Sequence, residues 1–109
     1  MVAMKPVEAG LILKKYVDER TAITALYQQL GVAVKLRGRV DSLTESGLVI
    51  KSDGGDILEI DVRDTSYFAL GDDRDLPEGL NEVKGKYDSC LSLSWPSGAR
   101  VSLFELVTR

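Results

Sequence analysis

The sequence predicts a mainly β protein: an N-terminal helix, a five-stranded, strongly bent barrel, and an appended C-terminal β-hairpin. Three observations carry this reading. Along Val32–Leu43 an apolar set (Val32, Val34, Leu36, Val40) alternates with the set Ala33, Lys35, Arg37, Arg39 and Asp41, the period-two signature of a half-buried strand. Asp53-Gly54-Gly55-Asp56 separates two apolar runs, and a turn of that composition makes a hairpin because its central residues need positive φ. A second alternation, Ser89, Leu91, Leu93 and Trp95 against Cys90, Ser92 and Ser94, runs into Pro96-Ser97-Gly98 and returns through Val101 and Leu103.

In chain order, residues 1–4 are expected to be loose, and Pro6 suits the first turn of a helix. Val7, Leu11, Leu13, Tyr16 and Val17 share a face at helical spacing, giving a helix that ends in Asp18-Glu19-Arg20. A strand over Leu11–Val17 is the competing reading. Thr21–Gln29 supports either a helical stripe (Ile23, Leu26, Tyr27, Leu30) or a strand face (Ile23, Ala25, Tyr27); the wider pattern favours the strand. Gly38 interrupts the apolar face of Val32–Leu43 and marks a bend there. Leu48–Ser52, Ile57–Arg63 and Thr65–Leu70 complete the predicted barrel, with a corner at Asp64. One domain of four parts results: helix 7–20, barrel 21–70, acidic loop 71–88 and extra hairpin 89–107.

Composition narrows the function classes. The 109 residues are 44% hydrophobic and 28% charged, which fits a folded globular protein. Histidine is absent, which removes the commonest general base and the commonest metal ligand. The single cysteine, Cys90, cannot form an internal disulfide, and no secretion signal or membrane-length apolar run is present; a reducing, cytoplasmic setting is expected. The net charge of −3 is uneven: residues 53–88 hold 11 carboxylates against 4 cations, whereas residues 1–52 hold 8 cations against 5 carboxylates. Nucleic-acid binders are generally basic overall, so any such binding here must use a local patch.

The order helix, strands, tight hairpin, short last strand is similar to that of the Sm-like (LSM) barrel. The words match as well: Glu19-Arg20 followed by Ile23–Tyr27, then Leu30-Gly31, then Val34–Leu43, resembles the Hfq branch of that family, and Val62–Tyr67 resembles its second motif. The likeness covers about residues 7–70. Asp64 stands where the Sm pattern has glycine, and the Hfq Lys-His pair is absent. The resemblance implies a homo-oligomeric ring of six or seven subunits, paired edge to edge through Ile57–Arg63 and Thr65–Leu70, with Ile57, Ile60, Val62, Tyr67 and Phe68 at the interface. It also implies an RNA site in two loops, here Ser42, Thr44, Arg63 and Thr65.

Each candidate has a plainer reading. Lys35, Arg37 and Arg39 project from one strand face and can neutralise phosphates, or they are a solvated face balanced by Glu59 and Asp61. Asp72, Asp73 and Asp75 can bind a cation, but the spacing fails the EF-type pattern, and a solvated acidic loop fits better. Cys90 reads as a small buried residue, and Trp95 and Tyr67 read as packing residues, with Trp95 a partner anchor if exposed. The expectation is a non-enzymatic protein without a cofactor or metal: an Sm/Hfq-like oligomeric, RNA-binding domain, or a protein-interaction and oligomerisation module that has lost the RNA site.

Overall fold

The computed structural model describes residues 2–69 and 87–106. The chain runs β1 (Val2–Met4), α1 (Pro6–Asp18), β2 (Ile23–Gln29), β3 (Val32–Leu43), β4 (Gly47–Ser52), β5 (Ile57–Asp61), β6 (Ser66–Ala69), β7 (Tyr87–Ser94) and β8 (Arg100–Leu106). All eight strands form one antiparallel sheet in the order β1-β6-β7-β8-β2-β3-β4-β5, and the sheet is not closed.

The mainly β class with one N-terminal helix is as the sequence predicts, but the sheet is open where a closed five-stranded barrel is expected, and two details of the count are corrected. Residues 2–4 are a strand on β6, with Val2 opposite Ala69 and Met4 opposite Tyr67. The C-terminal hairpin is not appended: β7 and β8 stand between β6 and β2, so eight strands replace five in one sheet. Residues 23–29 are the strand that the wider pattern favours. The predicted acidic loop lies outside the described residues up to Lys86.

Helix α1 opens on Pro6 and closes in a way its sequence hides. Arg20 takes φ 49, its N–H donates to the Val17 carbonyl at 3.3 Å, and the Thr21 N–H donates to the Tyr16 carbonyl at 3.1 Å. This is the paired closure usually built on glycine. The helix packs against β3 and β6. Its Ala9, Leu13 and Tyr16 join one core with Ile23, Ala25, Val40, Leu48, Ile50, Ile60, Leu91, Leu93, Val101 and Leu103. Fully burying each large aliphatic or aromatic side chain stabilises by roughly 1.5–3 kcal/mol.

Gly38 is the hinge of β3. Up to that residue the strand pairs with β2, and from it onward with β4, so Gly38 lies opposite both Ile23 and Ser52. A Cβ built there would stand 1.9 Å from the Lys51 carbonyl oxygen. A bulge at Asp41 then resets the alternation, so that Val40 faces inward and Leu43 packs against the same core. The apolar face predicted for all of β3 is buried only in its second half. Val34 and Val32 are 42% and 56% exposed, because their part of β3 pairs with Tyr27–Gln29 at the end of β2 remote from α1. Gly55 carries the positive φ that the Asp53–Asp56 turn requires, at 92°. Asp64 also takes φ 59, the left-handed region that short polar residues enter more readily than other non-glycine residues.

Candidate interaction site: the open seam of the sheet

Among the described residues strand β5 ends the sheet as an unpaired edge, and its hydrogen-bond phase defines what it offers. The Val62 N–H donates to Ser46 and the Ser52 N–H donates to Asp56, bracketing the β4–β5 ladder. The residues bonded to β4 are therefore the even-numbered ones, and Ile57, Glu59 and Asp61 turn their backbone groups away from it. The Asp61 carbonyl accepts the Trp95 indole N–H at 3.0 Å. The N–H groups of Ile57, Glu59 and Asp61 and the carbonyls of Ile57 and Glu59 have no partner among the described residues.

Between this edge and the turn joining β7 to β8 lies a cleft of about 320 Å³. Its apolar lining is Tyr27, Leu58, Ile60, Trp95, Ala99 and Val101; its polar rim is Gln29, Glu59, Asp61 and Ser97. Exposed Val32 and Val34 extend the apolar face, since they lie opposite Gln29 and Tyr27 on the β2–β3 ladder. The Trp95 bond thus spans an open seam whose floor is apolar. Sequence reasoning marks Trp95 as a possible anchor but misses Tyr27, Ala99 and Val101. An aromatic residue directly before a Pro-Ser-Gly turn was the available signal.

The predicted RNA loops are partly brought together. Ser42, Thr44 and Arg63 line one groove of about 380 Å³, but Glu59 and Asp61 line it too. The Thr44 hydroxyl accepts the Gly47 N–H at 3.1 Å. The Thr65 hydroxyl donates to the Val62 carbonyl at 2.6 Å, fixing the corner, and is not part of that groove. Arg63 grips Asp61 with Nη2 at 2.6 Å and Nε at 3.0 Å. These side-chain bonds, then the Arg63 backbone N–H, hold the Asp61 carboxyl down from 3.8 to about 2. Because the folded value is the lower one, the pair's contribution to stability is present above pH 3.8 and lost as pH falls through about 2. A carboxyl titration followed by NMR should place the Asp61 midpoint near 2, and Arg63→Ala should return it towards the ordinary value. An unshifted Asp61 in the native chain would mean that the pair does not persist in solution.

Lys35, Arg37 and Arg39 are all exposed along β3, on one side, as predicted. Strand β4 separates them from Glu59 and Asp61, so those acids do not flank the row. Instead Arg39 joins Arg20, Lys51 and Asp41 around a groove of about 530 Å³ beside Val17 and Val40. Lys51 lies 3.7 Å from Asp41. Arg20 and Lys51 carried no sequence signal; the helix closure and the Arg39–Lys51 register bring them in.

Of the predicted interface residues, Ile57 is exposed on the free edge, Ile60 is buried in the core, and Val62 and Tyr67 pack against the core. Phe68 is half-buried, and its strand β6 is hydrogen-bonded on both sides, to β1 and β7. Cys90 is buried, and desolvation pushes its thiol up to about 12, which disfavours the thiolate. On the same face as Cys90, away from Leu91 and Leu93, Ser92 and Ser102 share a 2.8 Å hydroxyl bond and the Arg100 Nε donates to Ser92 at 3.2 Å. Among the described residues no group of three potential metal ligands occurs, and no helix is long and apolar enough to cross a membrane. Asp72, Asp73 and Asp75 lie outside the described residues. No protein-family model, no curated protein and no solved structure matches the chain.

Proposed function

We propose that this chain is a non-catalytic interaction module that binds an extended partner by strand addition at the seam between β5 and the β7–β8 turn. The observation that carries this reading is the free β5 edge with an apolar cleft running beside it. Main-chain groups there supply affinity for any extended segment, and the cleft supplies side-chain selectivity. A long, exposed edge that is not blocked is otherwise a liability for association. The test is selection of displayed heptapeptides against the chain. Binders should be lost when alternate amides of the selected peptide are N-methylated and when Glu59→Pro removes an outward N–H. Binders indifferent to both changes would sink the strand-addition reading.

A second reading, an Sm/Hfq-like RNA-binding domain, draws support from the cations Lys35, Arg37, Arg39, Arg20 and Lys51 gathered on and beside β3. Such a patch would bind single-stranded RNA with steep salt dependence. No affinity for homopolymeric RNA at low salt would remove it. The ring that the resemblance implies would need a pairing other than β5 on β6, because β6 already has two neighbours.

A further inference from the structure

We infer that the occupant of the seam is an extended segment in which apolar residues alternate with lysine or arginine. This rests on the strand-addition reading and adds the partner's chemistry to it.

The phase of β5 sets the partner's pattern. A strand laid on this edge places residues opposite Ile57, Leu58, Glu59, Ile60 and Asp61 in turn. Positions opposite Leu58 and Ile60 point into the cleft, against Tyr27, Trp95, Ala99 and Val101, and so take apolar side chains. Positions opposite Ile57, Glu59 and Asp61 point outward. On that outward face Glu59 and Asp61 share a groove with Arg63, and Lys51 of β4 stands opposite Ile57. Arg63 already holds Asp61, whereas Glu59 has no ion pair among the described residues. A cation directly across from Glu59 is therefore the favoured cross-strand neighbour, and an anion there is repelled.

A second copy of this chain fits less well. Its β5, Ile57–Asp61, carries no cation to set opposite Glu59, and a two-fold axis through Glu59 would set that carboxylate against itself. A nucleic acid fits no better, since the cleft is lined by the carboxylates of Glu59 and Asp61 and by no lysine or arginine.

Trp95 is the chain's one tryptophan and stands at the seam, so its fluorescence reports occupancy. The probes are three blocked heptapeptides: Val-Lys-Val-Lys-Val-Lys-Val and its counterparts with Thr or Glu in place of each Lys. The Lys peptide should give a saturable change, bind at least about tenfold tighter than the Glu peptide, and weaken with salt. The variant Glu59→Lys, a surface change, should reverse the order of the Lys and Glu peptides. Equal binding of the Lys and Glu peptides by both proteins would overturn the cationic pattern and leave strand addition standing, and no binding of any of the three, the neutral Thr peptide included, would overturn both. A native oligomer that Glu59→Pro converts to monomers would put a second copy in the seam and overturn the proposal.

Discussion

Replacing Gly38 by alanine is expected to cost at least about 3 kcal/mol and to lower the melting temperature by more than about 10 °C. The new Cβ would stand 1.9 Å from the Lys51 carbonyl oxygen and 2.8 Å from both the Lys51 carbonyl carbon and the Ser52 Cα. All three are backbone atoms of β4, so no side-chain rotation relieves the clash. Moving β4 away breaks the Gly38–Ser52 pairing and disturbs the hairpin that the Ser52 N–H closes onto Asp56. Urea and thermal unfolding followed by circular dichroism measure the loss. The matched control is Gly10→Ala in α1, where a Cβ meets nothing within 4 Å. There the better helix former should stabilise by about 0.5–1 kcal/mol. A Gly38→Ala chain as stable as the wild type would mean that β3 and β4 do not approach as described.

The importance of Gly38 was legible in the sequence because a missing side chain on an apolar face is a local signal. So were the Asp53–Asp56 hairpin and the Pro96–Gly98 turn, whose residues carry their own backbone preferences. What the sequence hid depends on contacts between distant segments. Val32 and Val34 alternate like core residues, yet whether their face is covered is decided by how far the β2–β3 ladder extends beyond the packed layer. Likewise β7 and β8 read as a separate hairpin because local pattern cannot tell which strand a hairpin docks on; the β2–β8 register fixes that. The candidate cations divide in the same way. Lys35, Arg37 and Arg39 follow from period two alone, whereas Arg20 reaches the groove beside Arg39 through a left-handed helix closure that nothing in Glu19-Arg20-Thr21 announces. Arg63, the basic residue expected at an RNA loop, pairs with Asp61 two residues earlier, a contact set by the corner at the end of β5.

A pair of proline substitutions one residue apart in β5 is expected to separate folding from binding. Ile60 is bonded to β4 and buried in the core, so Ile60→Pro removes a ladder hydrogen bond and places a ring against Leu48, its partner in the register. A loss of about 3 kcal/mol or more follows, enough to threaten the native state. Glu59 faces the opposite way: its N–H points to the free edge, the position at which a strand tolerates proline. Glu59→Pro should leave a cooperative unfolding transition within about 1 kcal/mol of the wild type while abolishing peptide binding at the seam. Unfolding curves and Trp95 fluorescence on the same samples check both halves. If the two variants lost stability equally, the phase of the β4–β5 ladder would be wrong, and with it the assignment of Ile57, Glu59 and Asp61 as the groups an added strand would meet. If Glu59→Pro folded and still bound the peptide, the cleft would work through its side chains alone, and the backbone edge would have no part in recognition.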